Sequence, residues 1–129
     1  MDNLNIEATK STPAVSFDPG CCTLSVKGES YPENAAKFYE PIFHWLRQAL
    51  EELDPAARLL VELEIIYFNS SSSKALMNLF DTLEEAARIG RSVEVNWRYH
   101  RENDSAQECG EEFREDLEAL VFNLVEYGD

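Results

Sequence analysis

Apolar and polar residues alternate from Ala14 to Asp18 and again from Thr23 to Lys27, where Leu24 and Val26 share one face. Asp18-Pro19-Gly20 between them has the chemistry of a turn, so the pair predicts a β-hairpin. Upstream, residues 1–12 are polar and are expected to lie extended. The period changes after Ser30. Phe38, Ile42, Trp45, Leu46, Ala49 and Leu53 recur at helical spacing and predict a helix from about Pro32 to Leu53. Ser30 stands two residues before Pro32, which favours a first helical turn, and Glu33 adds negative charge near the positive helix end. Pro41 removes a backbone donor inside this span and is expected to kink or divide the helix.

Leu59 to Phe68 is a strongly apolar run bounded by Asp54-Pro55 and Asn69, and it reads as the central buried strand, with Glu62 and Glu64 reaching toward one edge or face. After a serine run, Leu76, Leu79, Phe80, Leu83 and Ala87 trace one face of a helix that ends at Gly90. Ser92 to Tyr99 alternates Val93, Val95 and Trp97 against Glu94, Asn96 and Arg98, as a strand does. A helix comes next, around Ala106 to Asp116. Val121, Phe122, Leu124 and Val125 either extend that helix or form a last strand; the strand is the reading adopted. The order β-β-α-β-α-β-α-β predicts a single α/β domain over residues 1–129, a mixed β-sheet packed with helices. Leu63, Ile65, Leu76, Leu79, Phe80, Leu83, Val95 and Trp97 are expected in its core. Asn69 to Ser73 falls where a strand carboxyl end meets a helix amino end, the ligand-facing edge of such sheets.

Charge narrows the range of partners. The chain has 129 residues, with 11 Lys and Arg against 25 Asp and Glu, a formal charge of −14. Ten acids and two arginines fall in residues 101–129, a net −8. Such a surface repels phosphate backbones and anionic lipid, so neither nucleic acid nor a membrane is expected as a partner. The residues from Met1 to Ser11 contain no apolar run that would make a signal peptide or anchor, which points to the cytoplasm. Cys21, Cys22 and Cys109 are odd in number, and adjacent cysteines bridge only with strain, so free thiols are expected. Asn69-Ser70-Ser71 and Asn103-Asp104-Ser105 match the glycosylation pattern, which has meaning only in a secreted chain.

Catalytic and metal-binding patterns are lacking. His44 and His100 are the only histidines, and neither stands at zinc-ligand spacing from a cysteine. The glycines Gly90, Gly110 and Gly128 are isolated, so no phosphate-cradling loop exists. The acids Glu111-Glu112 and Glu115-Asp116 read as a solvated helix face, open also to a basic partner. No catalytic residue, metal site or cofactor is expected.

Asn69-Ser70-Ser71-Ser72-Ser73-Lys74 stands apart, because four hydroxyls lie at a helix start where free N–H groups and the helix dipole favour negative charge. One reading is capping, for which a single serine suffices. The other is reversible phosphorylation, adding a charge of roughly −1.5 to −2 that the helix end and Lys74 would stabilise.

Three separated segments then carry a family resemblance. Tyr67-Phe68-Asn69-Ser70-Ser71-Ser72-Ser73-Lys74, preceded by Ser30-Tyr31-Pro32-Glu33-Asn34 and followed by Val95-Asn96-Trp97-Arg98-Tyr99, resembles the SiaC family of bacterial regulatory phosphoproteins. The resemblance runs from Ser11-Thr12-Pro13 to Glu111-Glu112-Phe113. It implies a STAS-like fold, similar to anti-sigma-factor antagonists, and a non-catalytic adaptor that in its unphosphorylated form binds and activates a diguanylate cyclase. A SiaB-like protein kinase and a PP2C-type phosphatase would set its state. The modified hydroxyl comes directly after the motif asparagine, which here makes it Ser70; the family pattern usually has Thr at this place, and Ser71 is the alternative. Tyr31, Glu33, Asn34, Asn69, Ser71, Ser72 and Lys74 are then the expected partner-binding residues. The competing reading from a different class is a small α/β enzyme or ligand-binding domain that holds an anion at the Ser70–Ser73 helix start.

Overall fold

The computed structural model of the chain describes residues 4–128. Its centre is β4 (Arg58–Phe68), the strand with the longest apolar run. Leu59, Val61, Leu63 and Ile65 point to one side and are buried, while Leu60, Glu62 and Glu64 on the other side are only partly covered. The run therefore has one buried face rather than two. Around it the elements are arranged in the order β1 (Asn5–Ile6), β2 (Ala14–Asp18), β3 (Thr23–Ser30), α1 (Ala35–Glu52), β4, α2 (Ser70–Arg88), β5 (Ser92–His100), α3 (Asp104–Glu115) and β6 (Val121–Tyr127). They build one α/β domain on a six-stranded mixed sheet whose spatial order is the chain order. The pairs β1–β2 and β2–β3 are antiparallel; β3–β4, β4–β5 and β5–β6 are parallel.

Three successive crossovers step in the same direction across the sheet, so right-handed connections place α1, α2 and α3 on one face. Burial agrees. The inward residues of β3, β4 and β5 form one core with Tyr39, Ile42 and Leu46 of α1 and Leu76, Leu79, Phe80 and Leu83 of α2. The opposite face carries a ladder of polar groups: Asn96 donates to Glu62 at 2.9 Å, Asn123 to Glu94 and Asn96 at 2.9 Å, and Arg58 pairs with Glu94 at 3.0 Å. All eight residues expected in the core are there. Replacing Leu79 by alanine is expected to cost roughly 2–5 kcal/mol, read by chemical denaturation, as is usual for a leucine removed from a close-packed interior.

The expectations for the amino-terminal stretch, the start of the first helix and Pro41 change in detail. Of the stretch 1–12, Asn5–Ile6 pairs with β2, while residues 1–3 lie outside the described residues. The first helix starts at Ala35, not near Pro32. Its cap is Asn34, whose side-chain oxygen accepts from the Lys37 N–H at 3.1 Å, and Ser30 is instead the last residue of β3. Glu33 thus precedes the cap, and no acid stands in the first turn. Pro41 does not divide the helix: it lies on the exposed side in the second turn, and the element runs on to Glu52. The last segment is a strand, β6, as expected.

Candidate functional site

Because β3 and β4 are parallel, the helices after them both start at the carboxyl edge of the sheet, where Ser30, Tyr31, Phe68 and Asn69 converge. A β-bulge shapes this edge. Gly28 pairs with Ile65 but Glu29 pairs with Tyr67, leaving Ile66 as the extra residue of β4. One inserted residue reverses the side-chain phase of the rest of the strand. Phe68 accordingly turns inward to meet Trp97, with ring centroids 6.0 Å apart. Ile66 and Tyr67 stay outside at 55% and 53% exposure. Tyr31 packs edge-on against Tyr67 at 5.8 Å. The result is an exposed aromatic and aliphatic patch directly before the serine run.

The serines are not the cap. Asn69 is, its side-chain oxygen accepting from the Ser72 N–H at 2.9 Å, and Ser70 to Ser73 fill the first turn of α2. Burial then separates the four hydroxyls. Ser70 and Ser71 are exposed, Ser73 is half-buried, and Ser72 is fully enclosed. The Ser30 hydroxyl donates to Ser72 Oγ at 2.8 Å and is 2.7 Å from the Tyr39 phenol oxygen, a buried chain of three hydroxyls joining β3, α2 and α1. Burial pushes the Tyr39 phenol up, and hydrogen bonding to Ser30 and Ser72 acts the other way. This chain fixes the start of α2 against α1 and takes the Ser72 side chain off the surface. The Asn69 N–H, donating to the Ser30 carbonyl at 3.1 Å, closes the same junction.

Lys74 is exposed and one helical turn after Ser70, the spacing that brings two helix side chains together. With Ser71 and Arg47 it also lines a groove between α1 and α2. Two cations thus flank the exposed hydroxyls. Of the residues expected at the site, the structure brings Tyr31, Asn69, Ser70, Ser71 and Lys74 to one edge, with Ser72 beneath them. Glu33 is exposed and Asn34 is occupied in capping α1; among the described residues no hydrogen bond or ion pair joins either to the serine run. Ile66, Tyr67 and Arg47 are the additions that sequence reasoning missed as surface residues, because Ile66 and Tyr67 look like the end of a buried strand.

Among the described residues, no group of three or more His, Cys, Asp or Glu side chains is placed to hold a metal ion, and no helix is long and apolar enough to cross a membrane. The three cysteines are free thiols.

The model for the SiaC family of regulatory phosphoproteins matches residues 6–127. The chain belongs to that family. An uncharacterized protein of Pseudomonas aeruginosa (strain UCBPP-PA14) is 41% identical over 116 residues, 90% of each chain. The solved structure of SiaC of Pseudomonas aeruginosa superposes with a TM-score of 0.88 at 37% identity, covering 98% of this chain and all of the other. A chain from the crystal structure of the diguanylate cyclase SiaD in complex with its activator SiaC, also from Pseudomonas aeruginosa, gives 0.89 at 38% identity, covering 96% and 99%. A SiaC-family chain is a regulatory phosphoprotein and not an enzyme, which settles the class of function against the anion-binding enzyme reading.

Proposed function

We infer that the protein is a cytoplasmic adaptor that binds and activates a diguanylate cyclase when unphosphorylated, and that a SiaB-like kinase and a PP2C-type phosphatase switch it at Ser70. The observation that carries this reading is the position of two exposed serines in the first turn of α2, beside the exposed Tyr67 and Ile66 and one turn from Lys74. The Pseudomonas aeruginosa activator seen with its cyclase supports the choice of partner through its similarity in fold and sequence. A phosphate on Ser70 would be held by the free N–H groups of the first turn and by Lys74, so the helix tolerates it. The same phosphate would set a doubly charged, strongly hydrated group against the Tyr31–Tyr67 patch. Docking would then require stripping its water, which opposes the contact.

Ser72 does not compete for the phosphate, since its oxygen is enclosed and bonded. Treating the protein with its kinase and locating the modification by mass spectrometry decides between Ser70 and Ser71. Ser70→Ala is expected to abolish modification and to keep cyclase activation, with the fold intact because Asn69 supplies the cap. Ser70→Asp should weaken activation, less completely than phosphate does because one carboxylate has lower charge and fewer acceptor oxygens. Full modification of Ser70→Ala together with its loss in Ser71→Ala would move the switch by one residue. Modification and activation unchanged in the double alanine variant would remove the basis of the proposal.

A further inference from the structure

On the far side of α2 from Arg47, α2 and α3 enclose a cavity of about 190 Å³. Its apolar lining includes Met77, Phe80, Phe113 and Leu117, and Met77 is 49% exposed although it sits over a core aromatic cluster. Its rim is acidic from both walls, with Asp81 on α2, Glu112 on α3 and Asp116 at the carboxyl-terminal cap of α3. None of these three side chains makes an ion pair or a side-chain hydrogen bond among the described residues, and no basic residue lines the cavity. Two other depressions that carry acids pair them with cations. The one between α1 and α2 has Glu40 with Arg47 and Lys74, and the depression on the open sheet face has Glu62 and Glu64 with Lys27 and Arg98.

We propose that this cleft is a second docking surface, one that takes a basic amphipathic helix of a protein partner by seating an apolar anchor residue over Phe80, Met77 and Phe113 while lysines or arginines meet Asp81, Glu112 and Asp116. Charge complementarity selects the occupant. Three uncompensated carboxylates around an apolar floor disfavour an acidic or neutral segment, and the cavity is the size of one large side chain rather than of a ligand that binds by itself. Glu112 in the last turn of α3 and Asp116 at its cap both line the cleft, so a partner helix lying along the end of α3 offers cations one turn apart to them. The cleft adjoins the start of α2, for Ser73 lines it and Cys109 also lies beside Ile66 and Tyr67, but its acidic rim is a recognition element distinct from the Ser70 hydroxyl.

The test uses the whole protein and a synthetic peptide of leucine and lysine patterned at helical period, with a scrambled peptide of the same composition as control. Cys109 lines the cleft and also borders Ile66 and Tyr67, so its protection is assigned to the cleft by the charge reversals on the rim. In a Cys21→Ser, Cys22→Ser background, the patterned peptide should slow alkylation of Cys109, and the scrambled peptide should not. Reversing Glu112 and Asp116 to lysine should weaken the patterned peptide at least about tenfold, a free-energy change of about 1.4 kcal/mol. Reversing Glu7 and Glu51, which changes net charge equally but lies elsewhere, should weaken it less than about twofold, the size expected for general attraction to an acidic surface. Equal losses in the two reversed proteins, equal binding of both peptides, or unprotected Cys109 would each overturn the proposal and leave only a diffuse acidic surface.

Discussion

Gly110→Ala is expected to lower the melting temperature by roughly 5–10 °C, through a net loss of about 2 kcal/mol. In an exposed helix the same change would stabilise by about 1 kcal/mol, since alanine is the better helix former. Here a Cβ would stand 2.5 Å from Trp97 Cδ1 and 2.7 Å from both Trp97 Nε1 and Leu124 Cδ2. The indole cannot retreat. It is fully buried, its Nε1 donates to the Ala106 carbonyl at 2.9 Å, and Phe68, Phe80, Phe113 and Phe122 surround it with centroids 5.4–6.4 Å away. Crowding of a close-packed interior costs roughly 1–3 kcal/mol, and its upper end exceeds the gain in propensity. Gly128→Ala is the matched control. Its Cβ would meet only the side chain of Arg101, which can swing away. Equal melting temperatures for the wild type and Gly110→Ala, measured by circular dichroism, would show that α3 lifts off the sheet at no cost.

Gly110 also shows why some of the molecule could be read from the sequence and some could not. Strict alternation in Ser92–Tyr99 and helical recurrence in Leu76–Ala87 are imposed by burial of one face, so β5, α2 and their core residues can be read from pattern alone. A single glycine in an acidic helix has no pattern; its meaning lies in Trp97, which is distant in sequence. Caps were harder for a different reason. All three helices start at asparagine, with Asn34, Asn69 and Asn103 each accepting the backbone N–H three residues on. Serines near two of those positions offered equally good capping chemistry, and local propensity cannot rank one against the other. Both Asn-x-Ser matches are therefore caps. The place of the candidate site, where β4 gives way to α2, was legible in the strand-to-helix order. Its exposed patch was not, because the bulge at Ile66 exists only in the register between β3 and β4.

Glu84 is the acid whose loss should matter most, and its effect should vanish as the pH falls. It lies in the same helix as the serine run, among other glutamates, yet only 6% of its surface is exposed. Its carboxylate accepts the backbone N–H groups of Leu120 at 2.8 Å, Ala119 at 3.0 Å and Glu118 at 3.2 Å, and pairs with Arg88 at 3.0 Å. It thereby holds the turn that leads from α3 into β6. The Leu120 N–H does most to hold the carboxyl down at about 2; burial opposes this, and the Ala119 N–H, Arg88 and the Glu118 N–H add to it. The ordinary value is 4.5. A carboxyl whose folded pKa lies below its unfolded one contributes stability that is complete above the unfolded pKa and disappears as the pH falls through the folded one. The contribution here is on the order of 3 kcal/mol at neutral pH. Glu84→Gln keeps the shape but replaces one acceptor oxygen by an amide that faces N–H donors, so it should lose about that amount. Urea denaturation of both proteins at a series of pH values isolates this one group from the other acids, whose titration is common to the two. The difference in unfolding free energy should be constant above about pH 5 and should shrink steadily toward pH 2. A difference that stays constant down to pH 3 would mean that the turn is held by shape alone and that the charge on Glu84 contributes nothing.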